Sequence, residues 1–217
     1  LKVAPDGKIG GDLSNDYTIS DDGRTYTFTL KDDATFHDGE PVTIDDVEFT
    51  IQKIQDPTVK SPLRAVWEGV SMRKIDTRRI SFTLKQAYAP FVENFTIGII
   101  PQHIWKQVAS DEFLFSQKNV DAIGSGPYVV HKVKRDSYGL PTDYTLRAFN
   151  NYTLGKPFIK NIDIRVYQNE NELVTAYKAN DIDIMSGISP ERIKGVLKPT
   201  DKVVDSALPR VFGVFFN

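Results

Sequence analysis

Residues 26–54 most constrain the fold, because a strand pattern changes there into a helix pattern across one turn. Between Tyr26 and Leu30, apolar residues alternate with threonines, so one face of a strand is apolar and the other is polar. Thr43 stands three residues before Asp46, the spacing at which a hydroxyl caps the first amides of a helix. The stretch therefore predicts a strand, a turn and an amphipathic helix.

The apolar residues after the cap recur at helical spacing, and proline marks where they stop. Val47, Ile51 and Ile54 fall on one face of the predicted helix. Asp56 precedes Pro57, and a residue before proline is pushed out of the helical region of backbone space. We therefore expect the helix to end at this pair.

Composition excludes several classes of protein. The 217 residues carry a net charge of −2, which does not suit a nucleic-acid groove. No apolar run is long enough to cross a bilayer, and the absence of cysteine excludes disulfides and thiolate metal sites. The chain starts at Leu1 with no signal peptide, so we expect a piece of a longer protein.

The first 22 residues are polar and rich in turn signals, and regular elements are predicted further along. Strands are predicted over residues 70–75 and 79–84, and a helix begins at Pro90. A hairpin is predicted from residues 128–134 and 144–149, with a loop at residues 135–143.

The last third reads as a βαβ unit followed by two strands. Residues 158–167 and 181–184 have strand patterns, and residues 169–179 between them have a helix pattern. The two strands of such a unit are normally parallel. Residues 202–207 and 211–216 are the final predicted strands.

Residues 124–128 read Gly-Ser-Gly-Pro-Tyr, and two interpretations of this turn stay open. It is either a tight turn before a strand or a place where the backbone approaches a ligand closely. It lacks the glycine spacing of a phosphate or dinucleotide loop.

Side chains for catalysis do not converge in the sequence. His37, His103 and His131 are far apart and lack metal-ligand spacing, so each is interpreted as a turn or surface residue. We therefore expect no enzyme and no cofactor, with a hydrolase on an unfamiliar scaffold as a remote alternative.

Several short motifs together resemble the extracellular solute-binding proteins of family 5, the oligopeptide-, dipeptide- and nickel-binding class of ABC importers. They are Tyr-Thr-Phe-Thr-Leu at residues 26–30, Phe-His-Asp-Gly at 36–39, Pro-Val-Thr-Ile-Asp-Asp-Val at 41–47 and the turn at 124–128. The resemblance implies an α/β (α+β mixed) fold, namely a periplasmic-binding-protein type 2 lobe with an inserted α+β subdomain and the second lobe missing. It also implies that residues 1–23 are a partial N-terminal lead-in, that is, an incomplete segment before the inserted subdomain.

The inserted subdomain is then expected at residues 24–123, and the hairpin and βαβ part of the core lobe at 124–217. Family members use loops near the cleft to contact ligand, which implies a set of cleft-lining residues. These are Ser125, Gly126, Met185, Ser186, Gly187, Val211 and Phe212.

The resemblance also implies partners and a location. Short peptides, or another small solute, are the expected ligands, an ABC permease is the expected protein partner, and no nucleic acid is expected. The protein is expected to be a monomer in the periplasm or outside the cell, with a lipid anchor left open. Nickel chelates, sugars and opines remain open as ligands, and this piece alone is expected to bind weakly or not at all. The main alternative is an isolated lobe that serves as a sensor or scaffold.

Overall fold

The computed structural model describes residues 1–4 and 6–204. Two compact units divide the chain, Leu1–Arg165 and Val166–Asn217. Within the described ranges, every helix is too short or too polar to pass through a bilayer.

An antiparallel sheet in the order β3-β4-β6-β5 forms the centre of the first unit. Its strands are β3 (Ser14–Ile19), β4 (Thr25–Leu30), β5 (Ser71–Lys74) and β6 (Arg79–Thr83). The alternation predicted for β4 is confirmed, because its apolar residues are buried and its threonines are exposed or half-buried. The predicted pair of strands at 70–75 and 79–84 is also confirmed.

Helix α1 (Ile44–Gln55) packs on this sheet and has the predicted ends. The Thr43 hydroxyl accepts a hydrogen bond from the Asp46 amide, and the Asp46 carboxylate accepts one from the Thr43 amide. These reciprocal bonds satisfy two amides that would otherwise lack partners at the helix start. Asp56 caps the other end in extended conformation, as its position before proline predicts.

The core between α1 and the sheet is aromatic. Phe95 lies at its centre, with ring centroids 4.4 Å from Phe28, 5.0 Å from Phe82 and 5.3 Å from Trp67. Trp67 is fully buried on the short helix α2 (Arg64–Trp67). Aromatic pairs in tilted and edge-on arrangements stabilise a core beyond the area that they bury.

Short helical segments connect the sheet to the rest of the unit. A 3₁₀ helix replaces the helix predicted at Pro90 and places Phe91 and Phe95 in the core. The segments are the 3₁₀ helices Ala89–Thr96, Ser110–Phe115 and Gln117–Asn119, and α3 (Gln102–Trp105).

Three further antiparallel strands complete the first unit. They are β7 (Tyr128–Arg135), β8 (Pro141–Ala148) and β9 (Asn161–Arg165). The predicted hairpin is confirmed, but its loop is shorter than residues 135–143. The carboxylate of Asp136 accepts the amides of Tyr138 and Leu140 at 2.9 Å, so one side chain closes the loop and the strands extend further.

The N-terminal region contains strands that its turn-rich sequence did not predict. They are β1 (Lys2–Val3), its antiparallel partner β2 (Ile9–Gly10) and β3. The polar residues of β3 fit an edge strand, because Tyr17 and Ile19 lie opposite Phe28 and Tyr26 while Asn15 and Asp16 fall at a bulge. The central sheet thus begins before residue 24, and the predicted subdomain boundaries remain predictions.

The second unit contains α4 (Glu170–Lys178) and α5 (Pro190–Ile193). Asn169 caps α4 by accepting the Glu172 amide, and Ala176 and Tyr177 are its buried residues. Ser189 precedes α5 at the cap position, and Glu170 accepts the Ser189 amide. The helix predicted at 169–179 is therefore confirmed.

The predicted βαβ unit is wrong for the described residues. Residues 181–184 form no strand, and β9, which replaces the longer strand predicted at 158–167, pairs antiparallel with β8. A strand needs a neighbour to satisfy its backbone groups. The Asp181 amide instead donates to the Ala176 carbonyl at the end of α4, and Ile184 is 85% exposed.

Candidate functional site

The Gly-Ser-Gly turn at residues 124–126 lies at the rim of a cavity of about 480 Å³ in the first unit. The floor of the cavity comes from the sheet and α1, through side chains such as Phe28, Phe82 and Ile51. Leu13 and Ile97 contribute to its walls. A mostly apolar cavity of this size with polar backbone at its edge is typical of a site for a small ligand.

The backbone of the turn is only partly hydrogen-bonded. Among the described residues, nothing pairs with the amides of Ser125 and Gly126 or with the Ser125 carbonyl. Both residues are half-buried. Polar groups in such a position bind water or a ligand, because a buried unpaired amide is costly.

His37 joins the turn to the rest of the unit, a contact that the sequence analysis missed. Its amide donates to the Gly124 carbonyl at 2.8 Å, and the Gly124 amide donates to Nδ1 at 3.2 Å. The other ring nitrogen, Nε2, is 3.0 Å from the Gly126 carbonyl oxygen. A histidine in the Phe-His-Asp-Gly turn was visible in the sequence, but its partners lie almost 90 residues away.

Asp12 is one of the residues that line the cavity, and its carboxylate contacts the segment that follows β8. Thr153 Oγ1 donates to Asp12 Oδ1 at 3.5 Å. Burial, the negative charge of Asp12 and a hydrogen bond to it together raise the pKa of Tyr152 to about 12. Asp12 therefore connects residues 152–153 to the edge of the cavity.

The other histidines lie away from the turn. His103 Nε2 is 2.8 Å from Asp38 Oδ2. Burial alone would raise the pKa of Asp38, but hydrogen bonds from His103 and the Glu40 amide lower it below its usual value. His131 is exposed on β7. Within residues 1–4 and 6–204, no cluster of His, Asp and Glu side chains has the arrangement of a metal site.

A larger, open depression of about 720 Å³ lies on the threonine face of the central sheet. Its charged residues include Asp32 and Arg78, which form an ion pair with each other. This depression is lined mainly by polar atoms and is open, whereas sites for small ligands are typically concave and mostly apolar. We therefore centre the candidate site on the apolar cavity beside the turn.

The predicted cleft residues fall into three groups. Ser125 and Gly126 line the cavity of the first unit. The other described residues lie together in the loop between α4 and α5 of the second unit, where Met185 is half-buried and Ser186 and Gly187 are exposed. Val211 and Phe212 lie outside the described residues. Ligand contact by this set stays a prediction.

Comparisons with known proteins identify the family of the chain. The model for bacterial extracellular solute-binding proteins, family 5 (middle region), matches residues 8–217. Protein XP55 of Streptomyces lividans is 31% identical over 166 residues, which is 76% of this chain and 29% of that protein. The probable D,D-dipeptide-binding periplasmic protein DdpA of Escherichia coli is 27% identical over 96% of this chain and 40% of its own length.

Solved structures agree with this assignment. The ABC transporter substrate-binding protein CtaP of Listeria monocytogenes is 33% identical with a TM-score of 0.76, over 90% of this chain and 39% of that one. The oligopeptide-binding protein AppA of Bacillus subtilis, solved with a nonapeptide, is 26% identical with a TM-score of 0.73, over 83% of this chain and 36% of that one.

This chain therefore spans well under half the length of these relatives, and it has part of the periplasmic-binding-protein type 2 fold. DdpA, CtaP and AppA are each named as binding proteins. From the match of the family model to residues 8–217, we conclude that the chain belongs to the family 5 bacterial extracellular solute-binding proteins.

Proposed function

We propose that this chain is part of the substrate-binding component of an ABC importer that captures short peptides outside the cytoplasmic membrane. The component works as a monomer, releases its ligand to a membrane permease and performs no chemical turnover. In this proposal a set of residues lines the peptide cleft. They are Ser125, Gly126, Met185, Ser186, Gly187, Val211 and Phe212.

The observation that carries the proposal is the unpaired backbone of the turn beside the apolar cavity. A bound peptide has amide donors and carbonyl acceptors of its own, so the free groups of Ser125 and Gly126 suit its main chain. The adjoining cavity, with Leu13 and Ile97 in its walls, suits an apolar side chain. Recognition through the main chain tolerates many peptide sequences.

The relatives support peptides as the ligand class. One bears the name of a D,D-dipeptide-binding protein, and another was solved with a nonapeptide. A relative from Escherichia coli is named a nickel-binding periplasmic protein, so a nickel complex is the competing ligand that a test must include.

Nuclear magnetic resonance of the ¹⁵N-labelled chain tests the proposal and detects weak binding. Trialanine is titrated first, followed by a mixed pool of short peptides and, separately, by a nickel–histidine complex. We expect the peptide additions to shift the amide signals of Ser125 and Gly126. If only the nickel complex moves these signals, the peptide assignment is wrong.

Gly126→Val provides a steric version of the same test. A Cβ added at Gly126 meets no heavy atom within 4 Å, so the fold accepts it while ligand space at the rim is filled. We expect weaker trialanine binding and an unchanged melting temperature. Gly10→Val is the matched control, because Gly10 also has open space around it and does not line the cavity, although its strand partner Lys2 does.

A further inference from the structure

Every polar group of His37 except its carbonyl forms a hydrogen bond with the turn at residues 124–126. Its backbone amide binds the carbonyl of Gly124, and its two ring nitrogens bind the Gly124 amide and the Gly126 carbonyl. One side chain therefore forms hydrogen bonds with both ends of a three-residue turn. In the part of the chain that the structure describes, residues 124–126 make no hydrogen bond to one another.

These contacts determine the tautomer of the imidazole ring. The Gly124 amide can only donate, so Nδ1 of His37 must carry a lone pair. The Gly126 carbonyl can only accept, so Nε2 must carry the proton. The ring is thus neutral with its proton on Nε2, since a proton on Nδ1 would face another donor.

A second set of contacts fixes the ring plane. The Phe149 ring stands edge-on to the imidazole with centroids 5.0 Å apart. The Phe149 amide in turn donates to the Pro127 carbonyl at 2.8 Å, just after the turn. The imidazole therefore lies between the turn and the residue that follows β8, and it has little freedom to rotate.

We propose that His37 is a positioning residue for the ligand site: its neutral, Nε2-protonated ring holds Ser125 and Gly126 in the conformation that receives a ligand main chain. The inference rests on the proposed function, because it takes the turn as the ligand contact. Two glycines leave the turn free to adopt many conformations, and only some of them suit hydrogen bonds to a ligand main chain. His37 selects among these conformations without touching the ligand.

Two substitutions separate hydrogen bonding from packing. His37→Phe keeps a ring against Phe149 and removes both nitrogens, whereas His37→Gln keeps one donor and one acceptor. His131→Phe and His131→Gln are matched controls at an exposed position on β7. We expect His37→Phe to weaken trialanine binding about tenfold, His37→Gln to recover part of that loss, and both controls to match the parent chain.

Spectroscopy of the unliganded chain tests the positioning role even if trialanine does not bind. Long-range ¹H–¹⁵N spectra should show an unprotonated Nδ1 and a protonated Nε2 for His37. Hydrogen exchange of the Gly124 amide should be slow in the parent chain and faster in His37→Phe and His37→Gln, with the larger increase in His37→Phe.

The outcomes distinguish the two proposals. Failure of peptide binding in the parent chain, together with the expected tautomer and exchange rates, counts against peptide capture and supports positioning by His37. A proton on Nδ1, an unchanged Gly124 exchange rate in both variants, or parental trialanine affinity in His37→Phe would each overturn the positioning role. If His37→Phe does not fold, the positioning role is tested by the Gly124 exchange rate in His37→Gln and by the tautomer in the spectra of the parent chain.

Discussion

Asp46 offers a quantitative test of how the first unit is held together, because its carboxylate is only 4% exposed and bonds to two parts of the chain. Oδ2 accepts the Thr43 amide at 2.8 Å and the Thr43 hydroxyl at 2.6 Å. Oδ1 accepts the Gln102 amide at 2.7 Å, which links the start of α1 to the start of α3. Asp46→Ala removes all three bonds.

The expected cost follows from the surroundings of each donor. The Gln102 bond is to a charged acceptor, and losing it costs about 1.5–3 kcal/mol. Thr43 is exposed, so water replaces part of its two bonds, and about 0.5–1 kcal/mol is lost for each. Loss of a negative charge in the first turn of the helix adds about 0.5 kcal/mol. We therefore expect Asp46→Ala to lower the free energy of unfolding by about 3–5.5 kcal/mol.

Asp46→Asn sharpens the test because it keeps the shape of the side chain. If the new amide oxygen keeps the bond from the Gln102 amide, its NH₂ group faces the Thr43 amide, and only the Thr43 hydroxyl can turn to accept from it, so we expect a cost of about 1–3 kcal/mol, below that of alanine. Urea unfolding followed by circular dichroism gives the free energies. Asp45→Asn is the matched control, since Asp45 is an exposed neighbour paired with Lys74, and surface pairs contribute about 0–1 kcal/mol.

A loss under about 1 kcal/mol in Asp46→Asn would refute this reasoning, because it would mean that the charged acceptor contributes little beyond its shape. Equal losses in Asp45→Asn and Asp46→Asn would also refute it. That result would assign the effect to charge at the helix start, which both residues share, rather than to the buried hydrogen bonds.

Three further predictions concern other parts of the first unit. Gly11→Ala should lower the free energy of unfolding in urea by about 1–3 kcal/mol, because a Cβ at Gly11 would lie 2.5 Å from the Asn15 carbonyl oxygen. Gly10→Ala should lower it far less, because a Cβ at Gly10 meets open space. Burial raises the pKa of Tyr152 from 10.0 to about 12. Between these two pH values the tyrosine is ionised in the unfolded state but still protonated in the folded state. The free energy of unfolding should therefore be constant below pH 10.0 and fall as the pH rises toward 12. Alkaline unfolding curves check this, and Tyr152→Phe should reduce the fall. Trp67→Ala should lower the free energy of unfolding, measured by calorimetry, by about 3–5 kcal/mol, because Trp67 is fully buried. Trp67→Phe should lower it less, because it keeps an aromatic ring and removes an indole N–H that lacks a partner among the described residues.

Local signals predicted the elements whose reasons lie within a few residues. The Thr43 cap, the end of α1 before Pro57 and the alternation in β4 each depend on spacing along the chain, and all three are confirmed. The Asn169 cap of α4 is of the same kind. Such interactions are present wherever the local sequence is, so pattern and structure agree.

Elements that depend on a distant partner were predicted less well. The stretch at residues 181–184 has a strand pattern but forms no strand, because a strand pattern alone does not provide a neighbour. Conversely, β3 is polar and turn-like in sequence, yet it forms a strand because β4 offers an edge to pair with. In both places the pairing partner, rather than intrinsic propensity, decided the outcome.

The candidate site shows the same division. The sequence by itself determined the family motifs, the strand-turn-helix unit at residues 26–54 and the presence of a flexible Gly-Ser-Gly turn. Only the tertiary structure placed that turn beside a cavity and brought His37 against it, across separations of 87 and 89 residues. A histidine with two nitrogens has the same local pattern whether it faces water or grips a turn, so its role follows from which groups the fold brings within hydrogen-bonding distance.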